Sequence, residues 1–596
     1  MPANGEPSSS QLTDNTENSN LLAENVNLSN NVSFDTILEW IRPLGLWQMW
    51  LLILCGYGEF AVSLGNLEVI FYQVTPSYAC DPGDRNPQWS LDELRNLTNP
   101  FRDASIDYDA CVMRADLNWT KLAKLDFEEA YAAAAQRAVD DSGGVNVTTT
   151  KCAHWLYERT QLANTIVTQW NLVCDRKWWV EHGVSLNFAG FLIGVLMAGW
   201  LSDRFGRRVT MLWMAVVYTI AGVLCSFAPS YLLFVILRMI LMAAGCGHAV
   251  VIYCLGLEIV GDRYRSLVGG LFFIPYALAY LLLSPFAYWL PDWRYLNILC
   301  TVVGVPLSIM CWFAPESARW LLATGRVSEG ARVLRTAARI NRAVLPANVD
   351  FEKIANAIKT EEERKQRNKE NFLAIFKYPT LVLRCVIIYV VWGVVACVYY
   401  GLTLNVSTLA GNIFVNNAIM GALEFPAYLL SYALLNLGRT RTTIAMMLFC
   451  GVSLVAIAFI TNSTWLLVLS LTGKLGVTIA FALIYVLTVE LYPTVVRNVG
   501  LSSSSAVARV GTMVSPYVAG IGKLGASFKW LPTTIFGVAS LVVALLCCLL
   551  PETLGKRLPE HLADAVKMEK LKKPDRAASG DIEHETRARE TKSSQQ

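Results

Sequence analysis

Gly199-Trp200-Leu201-Ser202-Asp203-Arg204-Phe205-Gly206-Arg207-Arg208 interrupts an otherwise apolar run, and its Gly206-Arg207 pair returns as Gly438-Arg439, 232 residues later. Glu258 with Arg265 returns as Glu490 with Arg497 at the same offset, and Pro315-Glu316-Ser317 returns as Pro551-Glu552-Thr553 after 236 residues. Near-constant spacing of separate markers signals an internal duplication, which predicts two half-molecules built alike. Each Gly-Arg marker falls between stretches of about 20 apolar residues, the length a helix needs to cross a bilayer core.

Twelve such stretches are read near 44–72, 183–201, 210–228, 231–257, 266–288, 295–314, 381–404, 412–435, 442–461, 464–489, 500–522 and 531–550. The composition agrees. Of the 596 residues 54% are hydrophobic and only 16% charged, below the roughly 25% charged of soluble proteins, and mean hydropathy is +0.40. This excludes a soluble fold and predicts an all-α membrane protein with two pseudo-symmetric six-helix halves. Parallel six-helix repeats are an architecture of secondary transporters, with the substrate site at the midplane between the halves. A net charge of +3 argues for no nucleic-acid partner. His154, His182, His248, His561 and His584 show no metal-ligand spacing, so no metal is expected.

Sidedness follows from the basic loops, which collect on the cytoplasmic side. Asp203–Arg208, Asp262-Arg263-Tyr264-Arg265, Gly438–Arg441 and Arg497 all lie in even-to-odd connections. That places both termini in the cytosol: a 1–43 tail, of which the first forty residues are expected to be disordered, and a 551–596 tail. The halves 44–314 and 381–550 are then joined by a cytosolic linker, 315–380, whose charged Glu361–Glu370 run reads as a solvated helix face. The loop 73–178 becomes extracellular. Its cysteines Cys80, Cys111, Cys152 and Cys174 allow three pairings in an oxidising compartment. It also carries glycosylation sequons at Asn96, Asn118 and Asn146, whereas those at Asn27 and Asn31 fall on the cytosolic side and are expected to be unused.

The stretch from Gly199 to Arg208 resembles the signature after the second helix of the major facilitator superfamily. Trp170-Asn171-Leu172-Val173-Cys174, Asp292-Trp293-Arg294, Pro315–Leu321 and Glu490–Asn498 resemble the organic cation, carnitine and organic anion transporters of the solute carrier 22 family. The likeness runs from about 40 to 555. It departs at Leu435 and Asn436, where the second copy of the motif lacks its Asp and Arg; a similar loss marks the carnitine and zwitterion branch.

Ionisable groups at membrane depth are expensive, so each is a functional candidate. Glu424 resembles the family's cation-attracting acid, the alternative being a buried structural pair. Arg509 stands where the resemblance puts Asp in cation transporters and Arg in the anion and carnitine branches; a guanidinium matches a carboxylate through two parallel hydrogen bonds. Tyr428 replaces the Lys of the anion branch, which lowers the case for dianions. An acid and an Arg together suit a zwitterion such as carnitine, whose quaternary ammonium is held by aromatic faces. Trp392 and Tyr399, two helical turns apart, share a face and align with cage aromatics of the family; Tyr400 and Tyr485 are further candidates. Arg238, His248, Lys474 and Glu68 read as mostly structural. Asp203, Arg204, Arg207, Glu258, Arg265, Glu490 and Arg497 form a gating set, with pairs made and broken as the inner side closes and opens.

No GxxxxGK[ST] is present, and Thr472-Gly473-Lys474-Leu475-Gly476 lies in an apolar span; no nucleophile and base stand at catalytic spacing. The expectation is therefore a plasma-membrane transporter, not an enzyme. It would carry a small organic cation or zwitterion with no cofactor beyond an open question of sodium or proton coupling. Its partners would be the substrate and the lipid bilayer; the oligomeric state is left open, a monomer included. An organic anion transporter and a non-transporting substrate sensor are the alternatives.

Overall fold

The computed structural model describes residues 34–98, 111–137, 148–343, 351–367, 372–405, 411–523, 528–556, 559 and 562–566. Its long helices are α1 (Leu46–Tyr72), α2 (Trp178–Phe205), α3 (Arg207–Ser226), α4 (Tyr231–Glu258), α5 (Asp262–Trp289), α6 (Trp293–Phe313), α7 (Pro379–Leu404), α8 (Ile413–Leu437), α9 (Arg439–Phe459), α10 (Ser463–Leu491), α11 (Arg497–Ile521) and α12 (Leu531–Cys547). The first ten are long and apolar enough to cross a membrane; α12 is apolar but shorter, and α11 is long but carries Ser502–Ser505 and Arg509. Leu196, Trp213, Leu232, Leu429 and Leu545 stand exposed on these helices, as lipid-facing side chains do.

α5 and α6, expected as single spans, are each jointed. α5 breaks between Leu271 and Ile274, and α6 between Val302 and Gly304. Pro275 and Pro306 lack the N–H that would carry the helical ladder over those joints.

Packing repeats between the halves. α1 lies on α4 and α5, α3 on α4 and α6; correspondingly α7 lies on α10 and α11, α9 on α10 and α12. The halves meet mainly through α2 against α11 and α5 against α8, two contacts that the pseudo-symmetry exchanges. A Cβ on Gly421 of α8 would come within 2.7 Å of the Leu281 backbone of α5, so only glycine permits this approach.

One expectation is corrected at the N-terminus. Phe34–Trp40 is a helix, and Phe34, Ile37, Leu38 and Ile41 are buried with the linker helices Val327–Ile340 and Phe351–Arg367. Asn341 fastens the assembly: its amide donates to Ile41 O (2.6 Å) and Gln48 Oε1 (2.8 Å) while its oxygen accepts from Trp47 N (2.9 Å). The charged linker run extends beyond Arg367 to residues outside those described.

The large loop between α1 and α2 folds on two antiparallel ribbons, β1 (Tyr78–Cys80) with β4 (Trp155–Tyr157) and β2 (Val112–Arg114) with β3 (Thr149–Lys151). Its small core holds Ala79, Trp89, Leu94, Leu97, Leu117 and Leu122. Buried Arg114 donates to Ala134 O (2.8 Å) and to Asp116 (3.0 Å from Nε), and its bond to Asp116 holds that carboxyl below the ordinary carboxylate range. The loop is moored to the α5–α6 turn, where Trp293 Nε1 and Arg294 Nε both donate to Gln169 Oε1 (2.9 and 3.2 Å) and Trp170 packs on Trp293. Two motifs quoted separately from the sequence thus meet.

Candidate substrate site and paired charge clusters

Glu424 stands in a buried ion pair in this structure. Its Oε1 lies 3.3 Å from Lys474 Nζ of α10, and both side chains are almost wholly buried. Lys474 also donates to Thr403 Oγ1 (2.8 Å) and stands 3.3 Å from the Tyr399 ring centroid; Tyr399 in turn donates its hydroxyl to Glu424 (2.8 Å). An acid and a base at this depth neutralise one another, and each would be costly alone. Lys474, read from the sequence as mostly structural, is the partner of the principal acid. Glu424 does not pair with Arg509.

Trp392 and Tyr399 share a face, joined through Phe481 at 6.1 and 5.4 Å between ring centroids. Trp392 is fully buried, donates to Thr488 Oγ1 (2.9 Å), and meets Tyr485 edge-on at 4.5 Å. Within this cluster the cation on Tyr399 is the protein's own Lys474. Tyr400 looks the other way, edge-on to Phe188 of α2 (5.2 Å) and beside Arg509. Arg509 lies midway along α11 with its guanidinium 3.8 Å from the Phe191 ring centroid of α2. No carboxylate among the described residues pairs with it, and its buried Nε has no hydrogen-bond partner. The cationic group thus lies at the junction of the halves between Phe191 and Tyr400.

The sequence reading passed over Glu59, in the middle of α1. Among the described residues its only hydrogen bond is a long one from Ser63 Oγ (3.5 Å), and its buried Oε2 has no partner there. The signal was available: a carboxylate in Leu51–Leu67, a segment otherwise without charge.

The duplicated markers form two matching clusters at the helix ends opposite the large loop. Gly206 (φ 97°) turns the chain from α2 into α3, and Gly438 (φ 120°) from α8 into α9. Glu316 Oε1 accepts from Arg207 N (2.7 Å) and Arg208 N (3.1 Å); Glu552 accepts from Arg439 N (2.8 Å) and Arg441 N (3.1 Å). Each acid sits at the positive end of a helix. Arg207 pairs with Glu258 at 3.0 Å and Arg439 with Glu490 at 3.2 Å, while Ser317 and Thr553 each donate to the same acid at 2.5 Å. Burial lifts the Glu316 carboxyl above its ordinary range; Glu552 is also penalised by burial, but backbone N–H donors outweigh this and hold it low. Where Asp203 adds a 3.1 Å pair to Arg207, Leu435 offers Arg439 only its carbonyl oxygen (2.8 Å).

Every one of these pairs joins elements of a single half. The rest of the expected gating set lies elsewhere: Arg265 pairs with Asp262 and, at 2.5 Å, with Asp35, Arg204 rests on Trp200 and Phe205, and Arg497 donates to Tyr492 O (3.4 Å). Ties between the halves include three at the loop end, besides the bond from Tyr399 to Tyr276 (3.1 Å) deeper in the molecule. Lys523 pairs with Glu181 (3.1 Å), Tyr517 hydroxyl meets His182 Nδ1 (2.9 Å), and Gln73 donates to Leu404 O (3.4 Å).

In the loop, disulfides join Cys80 to Cys152 and Cys111 to Cys174. Asn96 and Asn118 are exposed, whereas Asn146, Asn27 and Asn31 lie outside the described residues.

Residues 132–563 match the family described as "Sugar (and other) transporter". The organic cation transporter protein of Drosophila melanogaster is 33% identical over 92% of this chain and 97% of its own length. The human organic cation/carnitine transporter 2 is 31% identical over 90% and 95%. Among solved structures, a partially occluded inward-open form of the xylose transporter XylE from E. coli aligns with a TM-score of 0.55 at 16% identity, over 86% of this chain and all of that one.

Proposed function

Since the chain belongs to the sugar (and other) transporter family of the major facilitator superfamily, and within it to the solute carrier 22 transporters, we propose that it moves small organic cations or zwitterions, a carnitine-like molecule foremost, across the plasma membrane by alternating access. The observation that carries the substrate class is Arg509. It is a guanidinium midway along a helix at the junction of the halves, without a carboxylate among the described residues. Such a charge is poised for a ligand carboxylate, with which it makes two parallel hydrogen bonds. The relatives' names supply the other half of the reading, cations and carnitine.

The paired clusters at the ends of α2, α4, α8 and α10 are the cytosolic face in this reading, with both termini beside them. The disulfide-linked loop with exposed Asn96 and Asn118 faces outward. Because each cluster binds elements of one half, its role is to keep that half rigid while the halves rock. Trp392, Tyr399 and Tyr485 then serve as the wall behind the site, and Tyr400 as a lining residue beside Arg509.

The test is uptake of labelled carnitine and tetraethylammonium into cells expressing wild type or Arg509→Ala at matched surface abundance. Carnitine uptake is expected to fall about a hundredfold, as for a lost charge-assisted contact of roughly 3 kcal/mol, with tetraethylammonium spared. Equal loss of both would remove Arg509 from the substrate site, and saturable binding without uptake would make the chain a sensor.

A further inference from the structure

We propose that Glu59, and not Glu424, is the negative pole of the substrate site, facing the positive head of a ligand whose carboxylate goes to Arg509. This deepens the transport reading above and rests on it. The first argument is a census of charge. Among the described residues of α1–α12, every acidic side chain except Glu59 has a basic partner within 4.0 Å. Glu68 pairs with Arg238, Glu181 with Lys523, Asp203 and Glu258 with Arg207, Asp262 with Arg265, Glu424 with Lys474 and Glu490 with Arg439. Of the mid-helix bases, Arg238 and Lys474 are thereby satisfied and Arg509 is left over. The two unmatched charges are of opposite sign and belong to different halves.

The second argument is direction. Successive residues of a helix are 100° apart. Gly56 faces Pro275 of α5, and Gly58 faces His248 and Ile252 of α4, with a Cβ there 3.5 and 2.9 Å from its first contact. Glu59 lies on the arc between these two directions, so it looks out between α4 and α5. α5 is the helix that meets α8 of the other half. On α4, Cys246 lies within electrostatic range of both Glu59 and Arg509. Glu59 Oε2 and Arg509 Nε are each buried with no hydrogen-bond partner among the described residues; Glu424 Oε2 is too, but the other Glu424 oxygen meets Lys474.

An unmatched carboxylate and an unmatched guanidinium on facing half-molecules are each costly until something bridges them. A zwitterion satisfies both at once. It gains most in the conformation that brings α1 and α11 together, and that difference in affinity is what a transported ligand needs in order to drive closure.

The experiment measures ligand binding to the purified full-length protein in nanodiscs with three probes: carnitine, tetraethylammonium, and the carbon isostere of carnitine in which tert-butyl replaces trimethylammonium. Glu59→Gln is expected to weaken the two cationic probes about tenfold or more while changing the isostere by less than about twofold. Unchanged isostere binding also shows that the variant is folded. Glu59→Asp, which keeps the charge, is expected to restore carnitine binding. Equal weakening of all three probes, no weakening, or a selective loss with Glu424→Gln in its place overturns the assignment. A wild type that binds none of the three overturns the assignment and the transport reading together, whereas binding by wild type that Glu59→Gln leaves intact removes only the assignment.

Discussion

Lys474 and Glu424 show how much of this protein's chemistry is spent on itself. Each is buried, and each has the other as its compensating charge, with Thr403 and Tyr399 completing the set. Removing one partner strands a charge in a medium that cannot solvate it, at a cost of about 3–5 kcal/mol, whereas removing both leaves no stranded charge. Lys474→Met is therefore expected to lower the thermal midpoint of the purified protein sharply, and the Lys474→Met, Glu424→Gln double variant to recover most of the loss. A double variant as unstable as the single would mean that the two groups act independently. Neither partnership was readable from the sequence. A helix that is apolar on all sides does not disclose its rotation, because its lipid face and its core face use the same residues. The depth of Lys474, Glu424 and Arg509 was legible; which of them touch was not.

At the scale of single elements, more had been written in the chain. The duplicated markers at offsets of 232 and 236 fold into clusters whose corresponding bonds agree within a few tenths of an ångström: 2.7 against 2.8 Å at the helix N–H, 3.0 against 3.2 Å at the ion pair. The turn glycines are the hinge of each cluster. Alanine at Gly438 would force a left-handed backbone on a residue with a Cβ and put that atom 2.7 Å from Glu552 Oε2; at Gly206 it would come closer still to Glu316 Oε2. Gly206→Ala and Gly438→Ala are each expected to cost about 1–3 kcal/mol, read as a lower thermal midpoint. Gly325→Ala is the control: its φ is 81° but nothing lies within 4 Å, so it is expected to lose only the backbone part. Equal losses at all three positions would mean that the carboxylates contribute nothing. What the sequence concealed here was the helix Phe34–Trp40. Its seven residues are too short to be stable alone, and the surfaces that bury it come some three hundred residues later in the linker helices.

For the whole molecule, the arrangement of bonds separates what is rigid from what moves. The Gly-Arg clusters tie α2 to α3 and α4, and α8 to α9 and α10, within their own halves. At the opposite end, Glu181–Lys523, His182–Tyr517 and Gln73–Leu404 tie one half to the other. If transport proceeds by rocking two rigid halves, only the second kind of tie has to break in each cycle. Cysteines replacing Glu181 and Lys523, joined by a short bifunctional reagent, are then expected to abolish uptake, with reduction of a cleavable linker restoring it. Ligand should still reach the purified cross-linked protein from the Gly-Arg end, because the site between α1 and α11 is left intact. Uptake that persists through complete cross-linking would show that this end does not open, and the two-body mechanism would fail at its first requirement.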